Sequence, residues 1–416
     1  MGSSVATLSD PHTRDGTGWP AGLELTAFAF CVGQAVFLAT AYVSGVWLFD
    51  AQGARLANDF TGFYAAWQFL LDGHAVQLWD PAAHKAAANA VIGYNFSGSY
   101  PPSYTAHYMM ASAVFGLLPY MVSFAVWVPV ISLPYLFVAS KIIDHRGALI
   151  LACAFPSLLA NVYVGQNGCL TAAFIGGALL AMQAGRPILA GCLIACLTYK
   201  PHFGILVPLA LIASRQWRVF VSAAAWVVGI VLLTWLVLGT DAWVASFNAL
   251  LSTNQNTLVD GLHDWHKQQN PFGLVRVLGG NVELAWLAQG AVTLAMAGWV
   301  WFAWAPTWAS RQPFAMKAAI LSIGAFVASP YSYMYDTMIL AIPVAFVLRD
   351  GLDRGFLRGE MMGLLGACLL LATFPLVKMP VGVGAAFILV VLIARRFAAL
   401  APRDPDVATA RSAAAA

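Results

Sequence analysis

The chain has 416 residues and a net charge of +3; 60% of its residues are hydrophobic, 9% are charged, and its mean hydropathy is +0.75. This composition is typical of an all-α polytopic membrane protein, and no polar stretch exceeds about 60 residues, which is too short for a separate soluble domain. The basic residues are scattered through the loops, which argues against a nucleic-acid partner.

One membrane domain is predicted at 23–400, between two polar ends. Residues 1–22 lack the short apolar stretch and cleavage site of a signal peptide, so we expect a cytoplasmic tail there and another at 401–416. Apolar windows able to cross about 30 Å of hydrocarbon predict about twelve transmembrane helices. The windows lie near 24–49, 121–141, 147–164, 168–185, 187–200, 202–214, 219–238, 285–304, 316–328, 336–348, 360–376 and 381–397.

The segment 104–118 decides the topology, because its apolar stretch is short and follows Pro101-Pro102. We predict that it does not cross the membrane but lies on the outer surface or half within the bilayer. Two long outer loops then follow, at 50–120 and 239–284. If the segment crossed, the first loop and the later basic loops would lie on opposite sides.

The basic residues of the loops support this topology. With a cytoplasmic N-terminus, most of the 21 Lys and Arg residues face the cytoplasm, as expected for short cytoplasmic loops. Six face outward: Arg55, Lys85, Lys200, Lys267, Arg276 and Lys378. The outer face also receives the breaks rich in amides, tyrosines and carboxylates, so we predict that five separate polar segments converge there: the two long loops, 165–168, 199–202 and 329–336.

Asp59 is the first candidate for chemistry. Aromatic residues follow it at three- and four-residue spacing, which predicts an amphipathic helix at the membrane interface with Tyr64 and Trp67 at headgroup level. Asn58 or Asp59 could simply cap that helix. The alternative is a carboxylate at the water–lipid boundary that accepts a proton from a hydroxyl group.

Lys200 is the second candidate, at a helix end beside Pro201. A lysine near a membrane boundary can snorkel to the headgroups without any further role. With His202 as a second donor, it could instead hold the phosphate of a lipid. Both interpretations stay open at this point.

Tyrosines and amides mark the other outer breaks. Gln166 and Asn167 stand between glycines, where their amides either bind sugar hydroxyls or satisfy a tight turn. Tyr100 precedes two prolines, which hold it in an extended backbone. Tyr331, Tyr335 and Asp336 follow Pro330, and an acid there needs a partner or a wet cavity unless it only caps a helix. Lys200 is one conceivable partner of Asp336.

Metal and nucleotide sites are not expected. His263 and His266 lack a third ligand at useful spacing, and the six cysteines lie in or beside apolar runs. The sequence contains no phosphate-binding glycine-rich loop, which argues against direct use of a nucleotide. We predict no cofactor and no metal.

In their order along the chain, these motifs resemble glycosyltransferase family 87, whose members have the C-type glycosyltransferase fold with interfacial helices in the first outer loop. The resemblance covers roughly residues 24–400. Its motifs are Asp59-Phe60 with Phe63-Tyr64-Ala65-Ala66, Tyr100-Pro101-Pro102, Gly165-Gln166, Lys200-Pro201, and Ser329-Pro330-Tyr331-Ser332 with Tyr335-Asp336.

The resemblance implies a hexosyltransferase of the bacterial plasma membrane. The donor would be a polyprenyl-phosphate sugar, usually mannose, and the acceptor a lipid or glycan hydroxyl in a cavity on the periplasmic side. Asp59 matches the catalytic base of an inverting transfer. Lys200, His202 and Arg276 are predicted to bind the donor phosphate, with Lys85 as a substitute; sugar or acceptor contacts are predicted for Tyr64, Tyr100, Gln166, Asn167, Tyr331, Tyr335 and Asp336.

One departure from the family concerns the segment after Ser329-Pro330. Mannosyltransferases of the family carry histidine there, whereas this chain has tyrosines, so the acceptor and the sugar can differ. A secondary transporter of about twelve spans is the main alternative, but it would show two repeated halves with polar groups near mid-membrane. A flippase for lipid-linked sugars is a further alternative; the oligomeric state is not assigned.

Overall fold

The computed structural model describes residues 20, 22–98, 103–261, 264–306 and 312–399. Across these residues the secondary structure is helical, with isolated β-bridges but no strand. The α-helices are α1 (Leu23–Val43), α2 (Asp59–Leu71), α3 (Pro81–Ile92), α4 (Ala106–Ser112), α5 (Tyr120–Ile143), α6 (Ala148–Ala154), α7 (Ser157–Val164), α8 (Gly168–Gln183), α9 (Pro187–Cys196), α10 (Leu206–Ala213), α11 (Trp217–Thr253), α12 (Pro271–Val277), α13 (Val282–Trp304), α14 (Phe314–Val327), α15 (Ala341–Arg354), α16 (Glu360–Ala372) and α17 (Val381–Ala399).

Short 3₁₀- and π-helical segments connect these elements. A π-helical segment, Asn254–Val259, follows α11. The 3₁₀ segments are Ala75–Trp79, Ala113–Leu117, Leu197–Tyr199, Pro201–Gly204, Trp265–Lys267 and Met334–Leu340. Three of them, at 197–199, 201–204 and 334–340, interrupt apolar stretches that the sequence predicts as spans, and they place backbone breaks beside Lys200 and Asp336.

Five helices of the described residues are long and apolar enough to cross a membrane: α1, α5, the α11 segment to Val259, α13 and α17. The protein is therefore a membrane protein, but the predicted count of about twelve spans is not established. Other predicted spans are shorter helices of 10–17 residues, or, at 147–164, two pieces that meet at Pro156. Proline lacks the N–H that a continuous helix needs, which explains that break.

The segment 104–118 is too short to cross. Helix α4 has 7 residues and the 3₁₀ segment Ala113–Leu117 has 5, which together extend roughly 20 Å against about 30 Å of hydrocarbon. This agrees with the prediction for the segment.

Helix α2 corrects the prediction of an interfacial helix. Phe60, Phe63 and Trp67 are at most 2% exposed and pack against α4, α5 and their connection, so the predicted headgroup position of Trp67 is wrong. Thr61, Gly62, Ala65 and Ala66, on the other faces of α2, are buried as well, so this part of the helix is enclosed by protein. Burial of the three aromatic side chains contributes about 1.5–3 kcal/mol each.

Helix α11 shows that much of the second long loop is helical. The span predicted at 219–238 ends where the backbone is non-helical, at Gly239 with a φ of 78° and a ψ of 174°, and a second helical stretch then continues to Thr253. A glycine adopts this backbone without steric cost. Most of the predicted loop is thus helical, and α12 adds another turn of structure.

The molecule has two chemically different ends. Helix α5 runs from the aromatic cluster around α2 to Asp144, which is paired with Arg349 at 2.8 Å. At the same end, Arg396 pairs with Asp350 at 2.6 Å and with Glu360. Helix α15 leads from this basic end back to the segment that carries Asp336. Twenty-four residues of α5 span about 36 Å, roughly the thickness of a bilayer.

Candidate active site

Two glycines bring three separate helix breaks together. Gly165 has a φ of 71°, and a Cβ on it would lie 2.7 Å from the Phe60 Cβ of α2. A Cβ on Gly168 would lie 2.1 Å from the Tyr335 carbonyl oxygen. Only glycine allows these approaches, so the turn at 165–168 is held between the start of α2 and the segment 334–340.

Asp59 lies at the start of α2 and is not the residue that caps the helix. Asn58 Oδ1 accepts a bond from the Thr61 amide, and Thr61 Oγ1 accepts one from the Asn58 amide. Asp59 Oδ2 instead accepts a bond of 2.8 Å from Gln166 Nε2. Since Asn58 performs the capping role, the Asp59 carboxylate is available for another.

The environment of Asp59 favours a proton acceptor. The residue is half-buried, and Gln166 donates a side-chain hydrogen bond to its carboxylate, through Oδ2. Burial raises the pKa of Asp59 above its usual value of 3.8, while the Gln166 hydrogen bond and the charges of Lys267 and Lys200 oppose the rise. A carboxylate with a raised pKa is a better general base near neutral pH.

Lys200 forms a buried ion pair with Asp336. The Nζ–Oδ1 distance is 2.6 Å, and the side chains are 5% and 1% exposed. Asp336 Oδ2 also accepts a bond of 3.0 Å from the Tyr333 amide. The pairing that the sequence left open is therefore present, and Asp336 additionally caps its own helical segment.

Aromatic rings surround the ammonium group of Lys200. Nζ lies 4.8 Å from the ring centroid of Tyr335 and 5.7 to 5.9 Å from those of Tyr104, Tyr199 and Phe203. Such contacts stabilise a cation by the ring quadrupole. Lys200 thus does not snorkel to the headgroups, since both its charge and its stem are enclosed by protein.

Tyr104 connects the acid and the ammonium group. Its hydroxyl donates a bond of 3.0 Å to Gln166 Oε1, and Gln166 donates in turn to Asp59. The same tyrosine ring faces Lys200. Asp59 and Lys200, which are far apart in sequence, therefore belong to one cluster at the end of the molecule opposite the paired arginines.

The second outer loop closes this cluster. Gln268 forms a β-bridge with Tyr333, the Gln269 amide donates to Ser332 O at 2.7 Å, and Asn270 Nδ2 donates to Pro330 O at 2.8 Å. Lys267 precedes these residues and pairs with Asp264 at 3.2 Å on the surface. Within the described residues, hydrogen bonds thus link all five predicted outer segments to one another.

The predicted sugar-binding amides have protein partners. Gln166 bonds Asp59 and Tyr104, and Asn167 Nδ2 donates 2.9 Å to the hydroxyl of Tyr108. Asn167 Oδ1 is buried and has no partner among the described residues. Gln166 thus orients the candidate base, and its contact with the sugar stays a prediction.

Other predicted residues lie around the cluster or away from it. His202 contacts the rings of Phe203 and Tyr331, and its Nε2 is buried without a partner in the described part of the chain. Tyr335 lies under Lys200, as described above. Tyr331 borders His202 and the second loop.

Three predicted residues have structural contacts elsewhere. Tyr64 donates 2.8 Å to Leu118 O, Arg276 donates 2.9 Å to Gly280 O and covers the ring of Trp265, and Lys85 donates to backbone oxygens of Phe96 and Gly98. None of these contacts involves the Asp59 and Lys200 cluster. Tyr100 lies outside the described residues, as does His263.

Sequence reasoning missed several polar groups of the site. Asn161 donates 3.0 Å to Tyr335 O from within a predicted span, and a single amide in an apolar run is a usable signal for such a role. Gln268, Gln269 and Asn270 are fully buried, although a loop of amides reads as solvent-exposed. Among the described residues, no group of three or more His, Cys, Asp or Glu is arranged to hold a metal ion.

Comparison with known proteins gives one match. The sequence matches the model of glycosyltransferase family 87 over residues 99–330, more than half of the chain. The matched region contains Gln166, Lys200 and the second outer loop, whereas Asp59 precedes it. No curated protein and no solved structure matches the chain.

Proposed function

This chain belongs to glycosyltransferase family 87, and from that premise we propose that it transfers mannose from a polyprenyl-phosphate donor to a hydroxyl of a lipid or glycan acceptor. A glycosyltransferase with several membrane-spanning helices can take a donor directly from the bilayer. A prenyl phosphate suits such access, because its chain stays in lipid while its sugar enters a polar cavity.

The hydrogen bond from Gln166 to Asp59 is the observation that carries the proposal. It holds one carboxylate oxygen, and the other is directed to accept the proton of the acceptor hydroxyl. As that proton moves to Asp59, the acceptor oxygen forms a bond to C1 of the sugar. The bond from C1 to the phosphate oxygen breaks, and the phosphate leaves with the electron pair. A single displacement inverts the configuration at C1.

The leaving phosphate binds on the side of the cluster that contains Lys200. Asp336 takes one of the three N–H donors of Lys200, so two remain for phosphate oxygens. His202, with an unpartnered Nε2, lies beside Lys200 in sequence and supplies a further polar contact. These donors stabilise the charge that develops on the phosphate.

The location of the cluster supports an active site on the outer side of a bacterial plasma membrane. Asp59, Lys200 and Asp336 lie at the end opposite Arg349 and Arg396. Basic residues favour the cytoplasmic side, which supports a periplasmic location of the cluster. The C-type fold, with about twelve membrane helices in one domain over 23–400, remains our proposal for the architecture.

A donor panel tests the proposed function. The purified protein in lipid nanodiscs is incubated with radiolabelled polyprenyl-phosphate mannose, polyprenyl-phosphate glucose or a nucleotide-activated mannose, together with a membrane lipid extract as acceptor. We expect a labelled product from polyprenyl-phosphate mannose alone. A product from polyprenyl-phosphate glucose instead would correct the sugar, and a product from the nucleotide-activated sugar would contradict the donor class.

A further inference from the structure

A basic pocket lies at the end of the molecule opposite the Asp59 cluster. It is a cavity of about 470 Å³ between two turns, one joining α8 to α9 and the other joining α10 to α11. Three arginines contribute to its wall: Arg186 from the first turn, and Arg215 and Arg218 from the second. Its other lining residues are Met182, Gly185, Pro187, Gln216, Trp217 and Val219.

No acid balances these arginines. The sequence has no Asp or Glu between Asp144 and Asp241, and none lines the pocket. Within the described ranges, no salt bridge involves Arg186, Arg215 or Arg218. Elsewhere at the same end, Arg349 and Arg396 each have carboxylate partners. The three guanidinium groups therefore concentrate positive charge around one cavity.

The backbone at Arg215 is held in an unfavourable conformation. Its φ is 57°, in the left-handed region that glycine adopts easily and other residues rarely do. Gly185, in the facing turn, has a φ of 65°. A glycine at 215 would relieve the strain, so the presence of an arginine there points to a use for its side chain.

The rim of the pocket is apolar and exposed. Trp217 is 54% exposed, and Ile188 and Leu189, in the first turn of α9, are also exposed. In a membrane protein such side chains face lipid, and tryptophan favours the level of the headgroups. The pocket therefore offers positive charge beside surface suited to acyl chains.

We propose that this pocket binds the phosphate headgroup of an anionic phospholipid. Guanidinium groups bind phosphate oxygens through paired hydrogen bonds, and basic pockets between membrane helices are suited to such headgroups. Helix α8 leads from the Gln166 turn to this pocket, and α9 leads from the pocket to Lys200. A lipid bound here supports the two helices that position both parts of the candidate active site.

Lipid binding to the purified full-length protein tests this proposal. Native mass spectrometry counts retained lipid, and the melting temperature is followed while phosphatidylglycerol, phosphatidylcholine or inorganic phosphate is added in detergent. We expect phosphatidylglycerol to bind and stabilise, and phosphatidylcholine to do neither. Since each arginine near an anionic lipid is worth about a fivefold change in affinity, Arg186→Gln with Arg218→Gln should weaken phosphatidylglycerol binding about 30-fold.

Two further variants separate a lipid site from a structural role. Arg215→Gly removes one guanidinium and relieves the backbone strain, so it should lower phosphatidylglycerol affinity about fivefold without lowering the melting temperature in phosphatidylcholine. Arg146→Gln, an exposed arginine of the same end outside the pocket, is the matched control and should bind phosphatidylglycerol like the wild type.

The outcomes distinguish the sources of phosphate. Stabilisation by phosphatidylglycerol alone identifies a lipid site, and equal stabilisation by inorganic phosphate identifies the same pocket as a site for free phosphate. Unchanged phosphatidylglycerol binding in the Arg186→Gln, Arg218→Gln variant would overturn the proposal.

Discussion

Asp59 does not cap its own helix, because the residue before it does so. Asn58 and Thr61 satisfy the free amides at the start of α2, so the carboxylate at 59 can accept a bond from Gln166. The sequence leaves open whether Asn58 or Asp59 caps the helix, because either side chain has the right length. Only the tertiary contact with Gln166 decides the question.

The pH dependence of transfer follows from the environment of Asp59. Burial raises its pKa above 3.8, and the base must be ionised to accept a proton. We expect kcat/KM to fall as the pH is lowered through this raised pKa and to level off above it. The measurement is a pH–rate profile with a fixed donor. A rate that stays constant as the pH is lowered to the ordinary carboxylate pKa of 3.8, or that rises on acidification, would contradict the role of Asp59.

The Lys200 and Asp336 pair gives a stability prediction. Removing one partner of a buried pair leaves an uncompensated charge, so Lys200→Met should lower the free energy of unfolding by about 3–5 kcal/mol. Lys200→Met combined with Asp336→Asn should recover much of that loss, because no buried charge remains. Thermal unfolding of the two single variants and the double variant measures the coupling. Additive losses would show that the pair does not act as a unit.

The residues of the site were predictable from sequence, but their contacts were not. Asp59, Gln166, Lys200 and Asp336 are recognisable because polar groups in apolar surroundings need a reason. The bond from Gln166 to Asp59 joins residues 107 positions apart, and that from Lys200 to Asp336 joins residues 136 positions apart. Local sequence patterns do not predict contacts between residues so far apart, so the bond by which Gln166 orients Asp59 was not predictable, while its contact with the sugar stays a prediction.

Helix breaks, more than helices, determine the site at the level of elements. Gly165 and Gly168 permit the 165–168 turn to touch α2 and the segment 334–340, and Lys200 lies in the break between two 3₁₀ segments, the second of which begins at Pro201. Glycine and proline mark these breaks in the sequence. The surroundings of each helix are less predictable: α2 is enclosed by protein where its pattern predicts an interfacial position, and a second helical stretch follows the break at Gly239 where the sequence predicts a loop.

Gly168 provides a test at this level. A Cβ there would overlap the Tyr335 carbonyl oxygen at 2.1 Å, so Gly168→Ala must displace the backbone near Lys200 and Asp336. We expect a loss of about 1–3 kcal/mol in stability and a clear loss of transfer activity.

The matched control is Gly298→Ala in α13, where a Cβ meets no atom within 4 Å. In a helix interior that change should be neutral or stabilising by up to about 1 kcal/mol. The two variants are compared by thermal melting and initial rate. Similar behaviour of both would show that the close approach at Gly168 does not matter.

The candidate active site and the clustered arginines lie at opposite ends of the molecule. The Asp59 cluster occupies one end, and the paired arginines and the three-arginine pocket occupy the other. Composition predicts a membrane protein, and the loop charges predict this polarity. The number of spans is harder to predict, since ten-residue helices joined by breaks and single long helices have similar hydropathy. In the part of the chain that the structure describes, only five helices reach a spanning length by themselves.

Cysteine labelling tests the polarity. In a background where the six native cysteines are replaced, Asp264→Cys lies in the second outer loop and Lys141→Cys lies at the end of α5. In intact cells, a membrane-impermeant maleimide should label position 264 but not position 141. Labelling of position 141 alone would invert the topology, and labelling after permeabilisation controls for accessibility.

The rate of sugar transfer by Asp59→Asn is the most direct test of the proposed mechanism. The amide can still accept the Gln166 hydrogen bond but cannot take a proton, and it avoids the cost of a buried charge, so the variant should keep its melting temperature and donor affinity. We expect single-turnover transfer to fall by about 10² to 10⁴-fold relative to the wild type. Transfer at the wild-type rate by a folded, donor-bound Asp59→Asn protein would contradict the assignment of Asp59 as the base.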